Sequence, residues 1–227
     1  MKPFFEFNNV TGGYGDMEIV RDISGSVAKG EILGIFGRNG VGKTTLGKLL
    51  HGGLATSYGM ISMSGVELTK LKVSDRRNSG IGYMPQTNMV FDNLSVRENL
   101  QLGENKMSPD TYFNRFPNFA TRLDQTAGTM SGGERKILAF IRTMIEDTSL
   151  LILDEPSEGV QAENIEYMAA SLQERASEGS GVILIEQNIN FLMSVSDTFL
   201  GLDSGKVVFE KSAHETSIED IRKVLSV

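Results

Sequence analysis

The sequence predicts an α/β fold built around a parallel sheet. A compact apolar run, residues 31–36, leads into a glycine-rich loop and then into residues 43–50, whose apolar spacing is that of a helix. Further along the chain, short apolar runs alternate with helical patterns, as parallel α/β units require. The chain has 227 residues, 40% of them hydrophobic, and this suffices to bury the core of one large domain.

The first third of the chain reads as short strands separated by turns. Residues 4–10 and 19–23 predict an antiparallel edge sheet, with a glycine-rich corner at residues 12–15 between them. Further strands are predicted at residues 60–63 and 80–84, separated by a polar, basic stretch.

The middle of the chain, residues 88–130, predicts a helical insertion because short helical pieces alternate there with prolines and glycines. Ser131 and Glu134 then form a predicted capping box at the start of a long helix that ends near residue 147. The remaining elements are a strand at 150–153, a helix at 163–177, a strand at 182–185, a helix at 189–195, a hairpin of strands at 198–202 and 206–209, and a terminal helix opened by residues 217–220.

Composition excludes several kinds of protein and site. The formal net charge of −7 argues against a primary nucleic-acid binder. Cysteine is absent, so disulfides, thiolate metal sites and cysteine nucleophiles are excluded. The apolar runs are much shorter than the ~20 residues of a membrane-spanning helix, and residues 1–6 lack the apolar stretch of a signal peptide. We therefore expect a cytoplasmic protein.

A phosphate-binding loop is the strongest single motif. It lies between a predicted strand and a predicted helix, and it consists of Gly37, Arg38, Asn39, Gly40, Val41, Gly42, Lys43, Thr44 and Thr45. The glycines let backbone N–H groups converge on phosphates at the positive end of the helix. Lys43 supplies charge to the β- and γ-phosphates, and Thr44 offers a hydroxyl to Mg²⁺.

Two adjacent carboxylates follow the strand at 150–153, at the edge of a parallel sheet where ligands gather. Asp154 is placed to hold Mg²⁺, directly or through water, and Glu155 to polarise the water that attacks the γ-phosphate. The alternative, a solvated acidic turn, is disfavoured by the phosphate-binding loop containing Lys43.

The segment from Met130 to Glu134 resembles the signature sequence of ATP-binding cassette (ABC) ATPases, usually Leu-Ser-Gly-Gly-Gln. The resemblance implies ATP and Mg²⁺ as cofactors and a P-loop NTPase (RecA-like) core with an antiparallel β subdomain, formed by residues 1–87 and 131–227. The helical subdomain is then residues 88–130. The resemblance also assigns Ser131, Gly132 and Gly133 to the ATP held by an opposite subunit, so that a dimer encloses two nucleotides.

Smaller matches extend the resemblance along the chain. Gln86 resembles the glutamine that reaches the metal or the attacking water. Tyr14 resembles the aromatic residue that stacks on adenine, with a tyrosine packed in a turn as the alternative. Residues 156–159 resemble the segment that contacts the partner. Gln161 replaces the usual aspartate there, and Gln187 replaces a histidine that senses the γ-phosphate, so hydrolysis is expected to be slower or differently controlled.

Residues 156–161, together with residues 186–188 and the loop at 37–43, look like the smaller ATPase of bacterial importers for branched-chain amino acids, urea or short amides. In that group two different ATPases commonly pair. The resemblance implies a transport ATPase, peripheral on the inner face of the cell membrane. Its implied partners are a second ABC ATPase in a homo- or heterodimer, integral membrane permease subunits and, through the complex, a solute-binding protein.

Other functions stay open at this point. One is a soluble cassette that acts as scaffold or regulator without a transporter, and another is a nucleotide-binding module that hydrolyses little, as Gln187 suggests. Residues 91–100 mix apolar and charged side chains, as a docking surface for a permease does. The alternative is that Phe91 and Leu94 only close a local core.

Overall fold

The computed structural model describes residues 3–87, 89–103 and 105–226. In these ranges the strands are β1 (Phe5–Tyr14), β2 (Met17–Val27), β3 (Ile32–Phe36), β4 (Thr56–Met63), β5 (Val66–Glu67), β6 (Ile81–Met84), β7 (Leu150–Asp154), β8 (Gly181–Ile185), β9 (Thr198–Asp203) and β10 (Lys206–Ser212). The α-helices are α1 (Lys43–His51), α2 (Val73–Asn78), α3 (Val96–Gln101), α4 (Asp110–Phe113), α5 (Pro117–Ala120), α6 (Gly132–Ile145), α7 (Ala162–Ser177), α8 (Ile189–Val195) and α9 (Ile218–Ser226).

The larger of the two sheets is the predicted parallel sheet. Its strand order is β10-β9-β3-β8-β7-β6, and every neighbouring pair is parallel except β10 and β9, which form the predicted hairpin. The smaller sheet has the order β2-β1-β4-β5 and is antiparallel throughout. The α/β prediction and the antiparallel edge sheet are therefore confirmed.

The parallel sheet is buried on both faces because alternate residues of its strands enter different cores. Within β7, Leu150 and Ile152 pack with α1 and the small sheet, whereas Leu151 and Leu153 pack with α6, α7 and α8. Strands of this kind read as continuous apolar runs in the sequence. The two cores thus fix β7 from both sides, up to the carboxylates at its carboxyl end.

The structure differs from the predicted elements at several places. Gly12, Gly13 and Tyr14 belong to β1 because their pairing with β2 continues, and the turn lies at residues 15–16. The basic stretch forms α2, which the sequence did not predict as a helix. The capping box of Ser131 is confirmed, but α6 ends at Ile145 because the backbone of residue 146 is extended.

The middle of the chain carries the short helices α3, α4 and α5. The predicted first residue of the helical insertion, Asn88, lies outside the described residues, as do Met1 and Lys2 of the amino-terminal segment. The division of the chain into a core and an insertion stays a prediction. None of the helices in the described ranges is both long and apolar enough to span a bilayer.

A buried arginine of α2 fixes the carboxyl end of α1. Arg76 is 1% exposed, and its guanidinium donates to the carbonyl oxygens of Leu49 and Leu50 at 2.8 Å and to that of Thr69 at 2.9 Å. The last carbonyls of a helix have no partner within the helix, so an external donor satisfies them here. Arg76 therefore holds the helix that follows the phosphate-binding loop.

We expect Arg76→Met to lower the free energy of unfolding by about 3 kcal/mol, because buried carbonyl oxygens lose a charged donor. Urea denaturation measures this change. Arg21→Met is the control because the Arg21 side chain is 58% exposed and forms a surface ion pair with Glu18; its effect should stay within about 0.5 kcal/mol. Equal losses in the two variants would contradict the assigned role of Arg76.

Candidate functional site

Segments that are distant in sequence meet at the carboxyl-terminal edge of the parallel sheet. β3 leads into the loop before α1, and β7 delivers Asp154 and Glu155 beside it. The cleft at this edge is lined by Ile19, Asn39, Gly40, Gly42, Lys43, Thr44, Thr45, Gln86 and Glu155. The structure therefore brings the predicted loop, Gln86 and the acid pair together, at the place where open α/β sheets bind ligands.

The phosphate-binding loop ends at a helix start that receives no capping hydrogen bond from a side chain. Gly42 is the N-cap of α1, with a left-handed backbone at φ 105°, and the first turn contains no acidic residue. A Cβ atom at Gly42 would lie 2.7 Å from Val20 Cγ1, so both backbone and packing require glycine. The start of α1 can therefore accept an anion, and it fits the phosphates of a nucleotide.

Lys43 is the buried cation of the cleft, with only 4% of the residue exposed. Its Nζ donates to the carbonyl oxygens of Gly37 at 2.9 Å and Arg38 at 3.0 Å, and it lies 3.6 Å from Glu155 Oε1. Burial lowers the pKa of Lys43, and the carboxylate of Glu155 acts in the opposite direction. The ammonium group is thus paired and directed to the end of β7.

Amide groups hold both carboxylate oxygens of Glu155. Gln86 Nε2 donates to Oε2 at 2.7 Å, and Gln187 Nε2 donates to Oε1 at 2.5 Å. Gln187 also donates to Asn39 Oδ1 at 2.6 Å, which ties it to the phosphate-binding loop. Glu155 is 5% exposed and has a left-handed backbone at φ 49°. Its position is therefore fixed by several neighbours at once.

Asp154 is fully buried beside Thr44. The Thr44 hydroxyl donates to Oδ1 at 3.2 Å, and the Tyr83 hydroxyl donates to Oδ2 at 3.5 Å. Burial is the main cause that raises the pKa of Asp154 to about 6, although the Thr44 hydrogen bond acts against it. A hydroxyl and a carboxylate in contact supply the oxygen donors that Mg²⁺ prefers.

The other loop residues face away from the cleft or lie deep in it. Arg38 directs its guanidinium to Asp203 at 3.2 Å, and the Val41 side chain packs into the core shared with α1. Thr45 is buried at the start of α1. Arg38 and Val41 can therefore contribute to phosphate binding only through their backbone.

Tyr14 lies beyond the cleft, at the end of the hairpin formed by β1 and β2. The residue is 49% exposed, so it is not packed inside a turn. Lys48 Nζ donates to the Tyr14 hydroxyl at 3.1 Å and lies 5.5 Å from the centroid of its ring. The ring remains available for stacking on a nucleobase.

The signature residues do not line the cleft. Ser131 is the N-cap of α6, followed by Gly132 and Gly133 in its first turn. Ser131 and Gly133 line a separate depression of about 330 Å³, together with residues 116–119 and 159–161. The structure thus keeps these residues apart from Lys43 and the acid pair of the same chain.

Ile19 and Lys136 are not among the site residues predicted from the sequence. Lys136 Nζ donates to the backbone carbonyl of Glu155 at 2.8 Å and to Glu158 Oε2 at 3.0 Å. The second of these bonds lowers the pKa of Glu158. A lysine on the apolar face of a helix, one turn before Phe140, is the signal that could have indicated Lys136. Ile19 carries no such signal.

The sequence matches known proteins over most of its length. Residues 20–158 match the ABC transporter family. The high-affinity branched-chain amino acid transport ATP-binding protein BraG of Pseudomonas aeruginosa is 35% identical, covering 89% of this chain and 90% of that protein. The probable branched-chain amino acid transport ATP-binding protein LivF of Archaeoglobus fulgidus is 33% identical, covering 91% of both chains. The lipopolysaccharide export system ATP-binding protein LptB of Haemophilus influenzae is 27% identical, covering 88% of this chain and 87% of that protein.

Solved structures share the fold. The ATP-binding subunit of an ABC transporter aligns with a TM-score of 0.84 and 22% identity, over 99% of this chain and 100% of that one. An Atm1-family ABC exporter with ATP bound gives a TM-score of 0.85 and 24% identity, over 98% of this chain and 42% of that one. These likenesses confirm the predicted cassette fold. The family match over residues 20–158 and the identity to BraG and LivF show that the chain belongs to the ABC transporter family, as an ATP-binding subunit that hydrolyses ATP.

Proposed function

We propose that this chain powers the import of a small polar solute, of the branched-chain amino acid, urea or short-amide type. BraG and LivF, at 35% and 33% identity, are both named for branched-chain amino acid transport. LptB, which is named for lipopolysaccharide export, is less similar at 27% identity. The relatives therefore favour an importer over an exporter, and an amino acid or a related amide as its solute.

The proposed chemistry rests on the position of the Glu155 carboxylate. It accepts hydrogen bonds from two side-chain amides next to the phosphate-binding loop. In this arrangement Lys43 and the N–H groups at the start of α1 bind the β- and γ-phosphates. Glu155 polarises the attacking water, and Gln86 and Gln187 orient the carboxylate. Tyr14 stacks on the adenine at the outer end of the cleft.

The metal site is proposed from the donors beside Asp154. Thr44, Asp154 and the amide oxygen of Gln86 would hold Mg²⁺, which supplies positive charge to the β- and γ-phosphate oxygens when bound. Among the described residues, no group of three or more His, Cys, Asp or Glu side chains forms a metal cluster. This suits Mg²⁺, which proteins commonly hold through one or two carboxylates together with substrate phosphates.

The signature residues support a second cassette as partner. Ser131 and Gly133 line a surface outside the cleft of their own chain. The capping box uses the Ser131 N–H group and the Glu134 N–H group. The Ser131 hydroxyl hydrogen and the N–H groups of Gly132 and Gly133 are therefore the donors that we assign to phosphate. We assign Ser131, Gly132 and Gly133 to the ATP of the opposite subunit. Gln187 is a neutral donor where most cassettes carry histidine, so the composite sites of a pair need not be equivalent. A heterodimer is therefore the preferred form.

Phe91 supports docking onto membrane permease subunits. Its side chain is 57% exposed and lies 5.8 Å from the guanidinium of Arg142, whereas Leu94 is half-buried. Arg142 is half-buried, so it supports the ring from below while the ring itself is exposed, and aromatic and arginine side chains are common anchors in protein interfaces. We therefore propose that the chain lies in the cytoplasm, on the inner face of the membrane. A solute-binding protein is then connected to it only through the complex with the permease subunits.

We expect Phe91→Ser to reduce co-purification of a polytopic membrane protein with this chain by about tenfold, because an exposed aromatic anchor is lost. Affinity purification from detergent-solubilised membranes measures this, and ATP binding should stay intact. Val208→Ser is the matched control, since Val208 is 54% exposed on β10. A fully active wild-type chain that purifies without any membrane partner would favour the scaffold or regulator role.

We expect Glu155→Gln to lower kcat on the order of a hundredfold or more, because the water-polarising carboxylate is lost. The groups that bind ATP remain, so an ATP-bound dimer should accumulate. Phosphate release and gel filtration with ATP measure these effects. Glu166→Gln removes an exposed carboxylate from α7 and serves as control. Wild-type turnover in Glu155→Gln would exclude Glu155 from the proposed role.

The raised pKa of Asp154 predicts a pH dependence of the free energy of unfolding. The Asp154 pKa rises from an ordinary 3.8 to about 6 on folding, so this carboxyl group binds more protons in the folded chain between these values. The contribution of Asp154 to wild-type stability therefore falls as pH rises through this range. Asp154→Asn lacks this titration. Its stability relative to wild type should therefore rise by on the order of 2–3 kcal/mol between about pH 4 and pH 6 and then stay constant. Urea denaturation at several pH values measures the difference, and a pH-independent difference would contradict the prediction.

A further inference from the structure

We propose that Lys136 is a positioning residue for the carboxylate of Glu155, acting through the backbone of Glu155 and through Glu158. The inference rests on the proposed role of Glu155 in hydrolysis. It assigns a function to a buried lysine that neither binds the phosphates nor lines the cleft.

The burial of Lys136 requires an explanation. The residue is 4% exposed, although it lies in α6 among apolar neighbours. A buried ammonium group costs several kcal/mol unless it is paired and hydrogen-bonded. Its acceptors are the carbonyl oxygen of Glu155 at 2.8 Å and Glu158 Oε2 at 3.0 Å. Both belong to the segment that follows β7, so the charge of Lys136 is directed at that segment.

Gln86 closes a ring of interactions with the same residues. Its Nε2 donates to Glu155 Oε2 at 2.7 Å and lies 3.5 Å from Glu158 Oε2. Glu158 therefore accepts from both Lys136 and Gln86, and Glu155 is held by Gln86 at its carboxylate and by Lys136 at its carbonyl. The ring fixes the side chain and the backbone of Glu155 relative to each other.

The backbone of Glu155 needs such support. A left-handed φ of 49° at a residue other than glycine costs about 1–3 kcal/mol and persists only where the surroundings hold it. The N–H group of Glu155 donates to the Ile185 carbonyl at 2.8 Å, and its own carbonyl accepts from Lys136. The same carbonyl also accepts from the Glu158 N–H group at 3.4 Å. Without Lys136, only this longer hydrogen bond holds the carbonyl, and the carboxylate can shift.

The position of Lys136 also links the signature helix to hydrolysis. Lys136 lies one turn after Ser131 and Gly132, which start α6. A Cβ atom at Gly133 would lie 2.6 Å from the Gly159 carbonyl oxygen, so the start of α6 packs directly on the segment that contains Glu158. A displacement of the start of α6 therefore moves Lys136 and, through its hydrogen bond, the backbone of Glu155.

The test compares Lys136→Met, Glu158→Gln and Glu155→Gln in the full-length chain. We expect Lys136→Met to lower kcat on the order of ten- to a hundredfold, since a shift of about 1 Å at a reacting group has this effect. The KM for ATP should change by less than about twofold, because the phosphate-binding groups are intact. Lys136→Arg, which keeps a donor, should retain more activity than Lys136→Met. Arg115→Met, which removes an ion pair with Glu174, is the control expected to keep kcat.

Glu158→Gln tests the same link at a side chain that is 60% exposed. The glutamine carbonyl oxygen can still accept from Lys136 but carries no charge, so we expect this variant to fold even if Lys136→Met does not. We expect it to lower kcat severalfold, and the double variant to be no slower than Lys136→Met, because both residues act in one ring. If Glu155→Gln abolishes turnover while Lys136→Met or Glu158→Gln keeps the wild-type kcat, the positioning role is overturned and the role of Glu155 stands. If Glu155→Gln itself keeps wild-type turnover, the proposed role of Glu155 in hydrolysis fails instead. A fall in ATP affinity that equals the fall in kcat would also overturn positioning.

Discussion

The buried ion pair of Lys43 and Glu155 is the constraint on which the site depends. Taking two charges out of water costs several kcal/mol per ion, and their separation of 3.6 Å offsets only part of that. The remainder is supplied by hydrogen bonds that Lys43 donates to backbone carbonyls and that Glu155 accepts from amide side chains. These carbonyls and amides come from three segments of the chain. The loop before α1, the end of β6, the end of β7 and the end of β8 are therefore held together by one pair of charges, and the same groups that stabilise the pair surround the proposed phosphate site.

The layered fold makes this pair possible. β7 is clamped between two apolar cores, so the residues that follow Leu153 emerge at a fixed position at the sheet edge. α1 is held at its carboxyl end by Arg76 and begins at an uncapped glycine, so its positive end faces the same edge. Since both elements are anchored far from the cleft, the cleft can present unpaired N–H groups and a strained Glu155 backbone without unfolding locally.

The sequence predicts the elements that a local pattern of residues determines. It does not predict the features that depend on contacts between segments distant in sequence. Strands β3, β7 and β8 were found because strands buried on both faces read as unbroken apolar runs, and the capping box marked the start of α6. The helix α2 was not predicted, because its buried Arg76 has no local signature and is explained only by carbonyls of α1. The apolar face of α6 could have indicated that Lys136 is buried, but not its partners, which follow β7 and are distant in sequence. Except for Ile19, the residues of the cleft were predicted by motif, while their roles remain proposals.

The two signature glycines do not carry the same information about a second cassette. Gly133 has a reason to be glycine within its own chain, because a Cβ atom there would lie 2.6 Å from the Gly159 carbonyl oxygen. A substitution at Gly133 therefore disturbs the packing of α6 on the segment after β7, whether or not a partner's phosphate is ever bound. At Gly132, no heavy atom of the described residues lies within 4 Å of a Cβ atom built on it, so this part of the chain does not require glycine there. Any steric requirement for glycine at position 132 therefore comes from outside this part of the chain. A substitution at Gly132, rather than at Gly133, can thus separate dependence on an opposite subunit from the stability of the chain itself.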